Sequence, residues 1–169
     1  MKQRISNRII QFSLQQCRFG QLLVASSEKG ICAAFPTMQE QMALEKLQKQ
    51  FPASICLQQE VEIHRQFILG IDKNADFPPF DVCGTSFQVK VWRNIQQLKR
   101  GETSTYRSIA QQIGHPNACR AVGTALASNR IFYGIPCHRV ISTNGKPGGF
   151  KWGLELKIRI LNDEINSII

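Results

Sequence analysis

The chain has 169 residues, 43% of them hydrophobic, and 21 Lys+Arg against 12 Asp+Glu give a formal net charge of +9. That length and composition suit one large or two small globular domains with a real core, and exclude a disordered tail or a collagen-like fibre. No stretch reaches the length of a membrane-spanning helix, and Met1 to Gln16 lack an apolar signal core, so a cytoplasmic protein without a membrane partner is expected.

The excess charge is unevenly placed. Residues 1–83 carry 9 basic against 8 acidic side chains, whereas residues 84–169 carry 12 against 4. A basic half-chain points to a polyanion partner, the alternative being a solvated basic surface that only aids solubility. The six cysteines (17, 32, 56, 83, 119, 137) form no C-x-x-C pair, and the three histidines complete no ligand cluster. Neither a disulfide framework nor a metal site is therefore expected.

Arg18 to Ala25 and Ile31 to Phe35 read as strands joined by the Ser27-Glu28-Lys29-Gly30 turn. Thr37-Met38-Gln39-Glu40 has the capping-box pattern and predicts a helix that turns Leu44 and Leu47 inward. Ser54 to Leu57 predicts a short strand, and Val61 to Ile71 fits strand or helix. The acidic residues here (Glu60, Glu62, Asp72, Asp76, Asp81) could belong to a metal-dependent nuclease, but their scatter fits surface charge better. This half reads as an α/β scaffold without chemistry of its own, and Asp76-Phe77-Pro78-Pro79-Phe80 is the natural seam. The domains are then 1–82 and 83–169.

Beyond the seam, Thr85 or Ser86 can cap a helix from Phe87 to about Lys99 that turns Phe87, Val91, Ile95 and Leu98 to one side, with Gly101 as its stop. A second helix, about Thr105 to Ile113, buries Ile109, Ala110 and Ile113. After the His115-Pro116-Asn117 turn a third, Ala118 to Ser128, buries Ala118, Ala121, Val122 and Ala125. Helix, short turn, helix is the helix-turn-helix arrangement. At about 100° per residue, Arg120, Thr124 and Ala127 face away from the buried stripe, with Gly123 at its margin. One arginine among small side chains suits close approach to a nucleic-acid backbone rather than reading of base edges. The alternative is packing of these small residues against another part of the protein; with the basic half-chain, the nucleic-acid reading is favoured.

The apolar run Ile131 to Ile135 predicts a strand leading into Pro136-Cys137-His138-Arg139-Val140. A thiol beside imidazole and guanidinium sits where its thiolate can be stabilised, although a free cysteine is as often a buried core residue. A turn at Ser142-Thr143-Asn144-Gly145 and a loop from Lys146 to Gly153 follow. The last helix, Leu154 to about Asn166, should bury Leu154, Ile158, Leu161 and Ile165 and leave Glu164 at the edge of that face.

The chain strongly resembles the methylated-DNA–protein-cysteine methyltransferases, also called 6-O-alkylguanine-DNA alkyltransferases. The residues that carry the resemblance are Gly84-Thr85-x-Phe87-Gln88 with Val91-Trp92, Gly101-Glu102-Thr103-x-Thr105-Tyr106, Ala118-x-Arg120-Ala121-Val122-Gly123, and Pro136-Cys137-His138-Arg139-Val140. It implies a ribonuclease-H-like α/β N-terminal domain and a mostly α, winged-helix-like C-terminal domain that contains the helix-turn-helix. It further implies repair of double-stranded DNA by direct transfer of an alkyl group, from the 6-oxygen of guanine or the 4-oxygen of thymine, onto Cys137. The base must leave the helix to be reached. Each molecule acts once, because a thioether has no easy hydrolytic exit.

By the same resemblance, His138 is a base acting through a water, Glu164 orients it, and Tyr106 rotates the 3′ phosphate and donates to the base. Neighbours on an extended segment point to opposite faces, which is why a water is needed between Cys137 and His138. The backbone carbonyls of Cys137 and Val140 would accept the guanine amine, and the Lys151 amide would meet the 6-oxygen. Asn129 is the hinge asparagine at the substrate site, Arg120 fills the gap left by the flipped base, and Gly123, Thr124 and Ala127 line the DNA face. Arg139 is structural. No cofactor and no metal are implied, and a monomer is expected.

The chain departs from the family pattern in three places: Asn129-Arg130 replaces Asn-Pro, Phe150 replaces tyrosine, and Trp152 stands where some members have glycine. The last predicts a pocket narrowed by Trp152 against large alkyl groups. The zinc site of some members and a cysteine-rich phosphotriester module are not recognisable. Two other functions fit parts of the pattern. One is a non-enzymatic sensor of alkylated bases that recruits excision repair, against which the intact Cys137 argues. The other is a cysteine hydrolase using Cys137, His138 and Glu164, which leaves the basic helix-turn-helix without a purpose.

Overall fold

The computed structural model describes residues 8–167. The chain divides into two compact units, 1–82 and 83–169. Among the described residues no helix is long and apolar enough to cross a membrane.

In the first unit, β1 (Arg8–Cys17), β2 (Gly20–Ser27), β3 (Gly30–Pro36) and β4 (Ser54–Gln58) form one sheet in the order β3-β2-β1-β4. β1–β2 and β2–β3 are antiparallel hairpins, and β4 joins β1 in parallel after the crossover helix α1 (Glu40–Gln50). β1 is an addition to the sequence reading, and Arg18 is in the turn to β2 rather than in a strand. The expected capping box of α1 does not form. Gln39 occupies the cap without a side-chain bond, because the Thr37 hydroxyl closes a local turn with the amide and carbonyl of Gln39. α1 buries Ala43 and Leu47, with Leu44 only half covered.

α2 (Glu62–Asp72) packs Phe67, Gly70 and Ile71 inward, so the ambiguous segment is a helix. Phe67, Phe77 and Phe80 form a ring cluster with centroids 5.4–6.3 Å apart. Two of the acidic residues assigned to the surface are structural instead. Asp81 pairs with Arg8 and accepts from Ser27, and Asp72 accepts from the Arg18 amide. Gly30, at φ +138°, is needed there because a Cβ would meet the Pro79 carbonyl at 2.2 Å.

In the second unit, α3 (Ser86–Ile95) opens with a complete capping box between Thr85 and Gln88. It ends at Ile95 rather than near Lys99. Its Trp92 indole donates to the Ala125 carbonyl at 2.9 Å. β5 (Ser104–Thr105) pairs in parallel with β6 (Val140–Ile141). α4 (Tyr106–Gln112), capped by Thr105, and α5 (Cys119–Ala127) are the two helices on either side of the turn at Gly114, whose φ is +80°. α5 buries Val122, Ala125 and Leu126. Ala121, expected inside, is exposed, since the buried stripe is centred between Val122 and Leu126.

The largest correction concerns α6 (Leu154–Asn166). The expected apolar face is the outer one: Leu154, Ile158 and Ile165 are 50%, 41% and 50% exposed. The helix instead buries Lys157, Ile160 and Glu164. Both charged groups have fixed partners inside, and those partners decide the rotation.

His64 of α2 is fully buried, with Nδ1 2.8 Å from the Ser13 hydroxyl and Nε2 2.9 Å from that of Ser26. Burial pushes its imidazole from 6.5 down to about 4. Between those values the unfolded chain binds the proton and the folded chain does not. Stability from this site is therefore complete above pH 6.5 and is lost as pH falls toward 4. Protection factors of β1 and β2 amides, taken relative to the intrinsic exchange rate at each pH, should fall over that range, and a His64→Gln chain should show a flatter profile.

Candidate active site

The expected strand before the cysteine is a sequence of tight turns. Gly134 N–H donates to Phe132 O at 2.7 Å, and Cys137 N–H donates to Ile135 O at 2.8 Å. The second is an inverse γ-turn centred on Pro136, at φ −79° and ψ 60°, a φ that the proline ring imposes. Cys137–Arg139 then forms one turn of 3-10 helix, so Cys137 and His138 are not extended neighbours on opposite faces. Every residue from Ile131 to Val140 is buried.

Asn129 holds this segment together. Its Oδ1 accepts from Ile131 N–H at 2.9 Å, and its Nδ2 is 3.1 Å from Ile131 O, 3.0 Å from Ile135 O and 3.3 Å from Cys137 Sγ. The amide is fully buried and spent within the protein, so it positions the sulfur instead of facing a ligand. Burial pushes the Cys137 thiol up to about 11, opposed by the Asn129 hydrogen bond and by the charges of Lys157 and Lys151.

His138 and Glu164 are both fully buried, with Nε2 2.9 Å from Oε1. The same carboxylate takes Arg139 Nη2 at 2.8 Å, Arg139 Nε at 3.0 Å and Gly101 N–H at 3.2 Å. Burial alone would raise the Glu164 carboxyl, but the bonds from His138 and Arg139 outweigh it and hold it well below the usual carboxylate range. An ionised carboxylate only accepts. The imidazole proton is therefore on Nε2, and Nδ1 carries the lone pair. Nδ1 has no partner among the described residues. Burial keeps the His138 imidazole below its ordinary value despite the pull of Glu164, so it is a neutral base. Arg139 has the structural role expected of it, with Nη1 donating to Leu98 O at 2.6 Å.

Cys137 lies at the wall of a cavity of about 390 Å³, lined also by Tyr106, Gly123, Leu126, Ala127, Gly149, Phe150 and Lys151. The loop side fits closely against Tyr106. A Cβ on Gly148, which has φ +71°, would lie 3.1 Å from the Tyr106 hydroxyl. Arg120 and Thr124 are exposed on α5, outside the cavity wall. Trp152 does not line the cavity. It stands edge-on to Phe132 and Phe150, with centroids 5.2 and 5.3 Å away, and Phe150 is the ring at the wall. The reading of Trp152 as the residue that narrows the pocket is corrected accordingly.

Val140 is also off the wall, and its carbonyl accepts from Lys157 Nζ at 2.5 Å. Sequence reasoning missed Lys157. It is fully buried and also donates to Gly149 O at 3.2 Å, which ties the active-site turn to the loop. Burial lowers its amine to about 8 against the opposing effect of Cys137. A lysine two turns before Glu164 on the same helix face was the available signal.

The family profile described as "6-O-methylguanine DNA methyltransferase, DNA binding domain" matches residues 86–166. The bifunctional transcriptional activator/DNA repair enzyme Ada of Escherichia coli is 36% identical, over 95% of this chain and 47% of its own length. The inducible methylated-DNA–protein-cysteine methyltransferase of Bacillus subtilis is 37% identical, over 69% of this chain and 68% of its own. The crystal structure of Mycobacterium tuberculosis OGT in complex with DNA superposes with a TM-score of 0.74 at 28% identity, covering 92% of this chain and 93% of that one. The chain spans about half the length of Ada and of other curated relatives it matches.

Glu164→Gln leaves the Arg139 guanidinium buried and half-paired, which should cost about 3–5 kcal/mol. Urea unfolding followed by the fluorescence of Trp92 and Trp152, both in this unit, measures it. The exposed counterpart Glu60→Gln should leave the midpoint unchanged.

Proposed function

Because the chain belongs to the methylated-DNA–protein-cysteine methyltransferase family, we propose that it repairs alkylated DNA by moving the alkyl group irreversibly onto its own Cys137. The observation that carries this reading is a thiol at a small, largely apolar cavity, beside a neutral buried imidazole whose proton position is fixed by an ionised carboxylate. The substrate is 6-O-methylguanine in duplex DNA, with 4-O-methylthymine as the lesser one.

The electron accounting is simple. Sγ forms a bond to the methyl carbon as the carbon–oxygen bond breaks, and the electron pair goes to the guanine 6-oxygen. The thiol proton passes through a water to His138 Nδ1, whose Nε2–H remains on Glu164. Tyr106, at the cavity wall, donates a hydrogen bond to the departing base and makes guanine a better leaving group. Guanine then gains one proton and the imidazolium gives one up through water, so the protons balance. The Lys151 amide suits the 6-oxygen. The Cys137 carbonyl suits the exocyclic amine, whereas the Val140 carbonyl, off the wall, is taken by Lys157. The product is a thioether, and each chain turns over once. No carrier is needed, since the DNA is the methyl donor.

The base must be swung out of the stack to reach the cavity. We assign DNA contact to the outer face of α5, where Gly123, Thr124 and Ala127 allow close approach and Arg120 enters the gap. The surplus positive charge of residues 84–169 supports that assignment. On the same footing, unit 1 is read as a ribonuclease-H-like scaffold. Unit 2 is read as a winged-helix-like domain, with α4 and α5 as its helix-turn-helix and a short β5–β6 pair beside them.

Incubation with duplex DNA carrying tritiated 6-O-methylguanine should move label to protein, at most one per chain, and Cys137→Ser should abolish it. Continuous release of methanol would replace this reading with hydrolysis. Arg120→Ala should slow repair of duplex by roughly tenfold while leaving reaction with free 6-O-methylguanine within about twofold. Equal losses on both substrates would remove Arg120 from the role of base replacement.

A further inference from the structure

Tyr133 lies four residues before the nucleophile and takes no part in the scheme above. Its φ is +63°; among the described residues the other non-glycine with positive φ is Asn74, a residue type that tolerates that region. The Gly134 N–H to Phe132 O bond makes Tyr133 the centre of a three-residue turn in its strained, left-handed form. Gly134, one position on, would take a left-handed conformation at little cost. Strain of this kind at a functional site is a reason to look for what it places.

What it places is an aromatic ring, 2% exposed, stacked on the imidazole of His138 with centroids 5.2 Å apart and planes 28° from parallel. The Glu164 bond fixes one atom of the imidazole, Nε2, and one hydrogen bond does not fix a plane. Nδ1 has no partner of its own, so its direction is set by the rings around it. Phe150 touches the imidazole edge-on at 6.5 Å, and Tyr133 covers its face.

We propose that Tyr133 is a positioning residue for His138: its ring face holds the imidazole plane so that Nδ1 stays directed for proton transfer from Cys137, and it stabilises the imidazolium that results. This rests on the alkyl-transfer reading and deepens it. The imidazolium formed is attracted to the electron-rich face of the phenol. The charged groups around it are otherwise unevenly matched. Glu164 favours it, while Arg139 and Lys157 oppose it. Arg100, whose guanidinium lies 5.9 Å from the centre of the Tyr133 ring and pairs with Asp163 at 3.3 Å, is a further positive charge against that ring. The compensating negative charge passes from the sulfur to the guanine 6-oxygen as the carbon–oxygen bond breaks.

The test uses the full chain and three substitutions, Tyr133→Phe, Tyr133→Leu and Tyr133→Asn, the last chosen because asparagine accepts positive φ. Single-turnover methyl transfer from duplex 6-O-methylguanine is measured at saturating DNA across pH, together with the His138 ring-proton shifts. Leu and Asn should slow transfer about tenfold without changing DNA affinity, and Phe should restore the wild-type rate. In the ring-less chains the acid limb of the profile should move to lower pH, because the imidazolium has lost a stabilising contact. Simple loosening of the core would admit water and move it up toward the ordinary histidine value, which would overturn the proposal, as would an unchanged profile.

The ring-current displacement of the His138 protons is read in the wild-type chain itself. Its absence there overturns the contact even if neither ring-less variant folds. A wild-type chain that shows the displacement and its loss in Tyr133→Leu but transfers no methyl would refute alkyl transfer, and would leave the stacking contact standing.

Discussion

One carboxylate organises the second unit. Glu164 is wholly out of water, which costs several kcal/mol unless every lone pair is engaged. His138, Arg139 and the Gly101 amide engage them. Three consequences follow from satisfying that charge. The proton of His138 is placed on Nε2, leaving Nδ1 as the base. The Cys137–Arg139 turn is clamped from its outer end. α6 is rotated about its axis until Glu164 points inward, and the same rotation carries Lys157, seven residues earlier, to the carbonyls of Val140 and Gly149.

That rotation also marks the limit of what the sequence could disclose. The rule that apolar residues face inward selects Leu154, Ile158, Leu161 and Ile165, and in α6 it selects the wrong face. The partners that override it come from residues 98–101 and 138–149, distant in sequence, and no local periodicity reports them. The strand expected over Ile131 to Ile135 failed for a different reason. A short apolar run does not distinguish strand from buried turn, and Gly134 and Pro136 were the punctuation that told them apart. β1 was missed because glutamines and Ser13 blur its alternation, whereas the self-contained signals were legible: a cap at Thr85 or Ser86, the turn between α4 and α5, and the small-residue outer face of α5. The meeting of Cys137, His138 and Glu164 came from the family resemblance rather than from spacing.

The depth of the thiol shapes the chemistry. With its pKa pushed up to about 11, the sulfur rests as a thiol at neutral pH and its thiolate is a minor population. A reaction that waited for that population would waste most of the site's reactivity. In the proposed reaction a neutral imidazole allows proton removal to accompany attack on the carbon, so the nucleophile is generated where a substrate fills the cavity and stays a hydrogen-bonded thiol otherwise. Asn129, Lys157 and Lys151 all lower the cost of the developing anion without abolishing that resting state.

The segment Asn129-Arg130 raised a question of stiffness, because the proline that usually follows this asparagine is absent. The geometry answers it with side-chain bonds. Asn129 Oδ1 accepts from the amide two residues on, closing a turn that mimics the backbone's own. Its Nδ2 reaches across to Ile135 O and Cys137 Sγ, while Lys151 Nζ caps the Asn129 carbonyl at 2.6 Å. A φ-locking ring restrains one dihedral, whereas these bonds restrain the path from the end of α5 to the sulfur at both ends. One buried side-chain amide therefore links the end of α5 to the sulfur, and Lys151, from the segment at the cavity wall, is fastened to the backbone carbonyl of the same asparagine. In the proposed function, the helix assigned to DNA contact and the sulfur assigned to the chemistry are thus joined through Asn129.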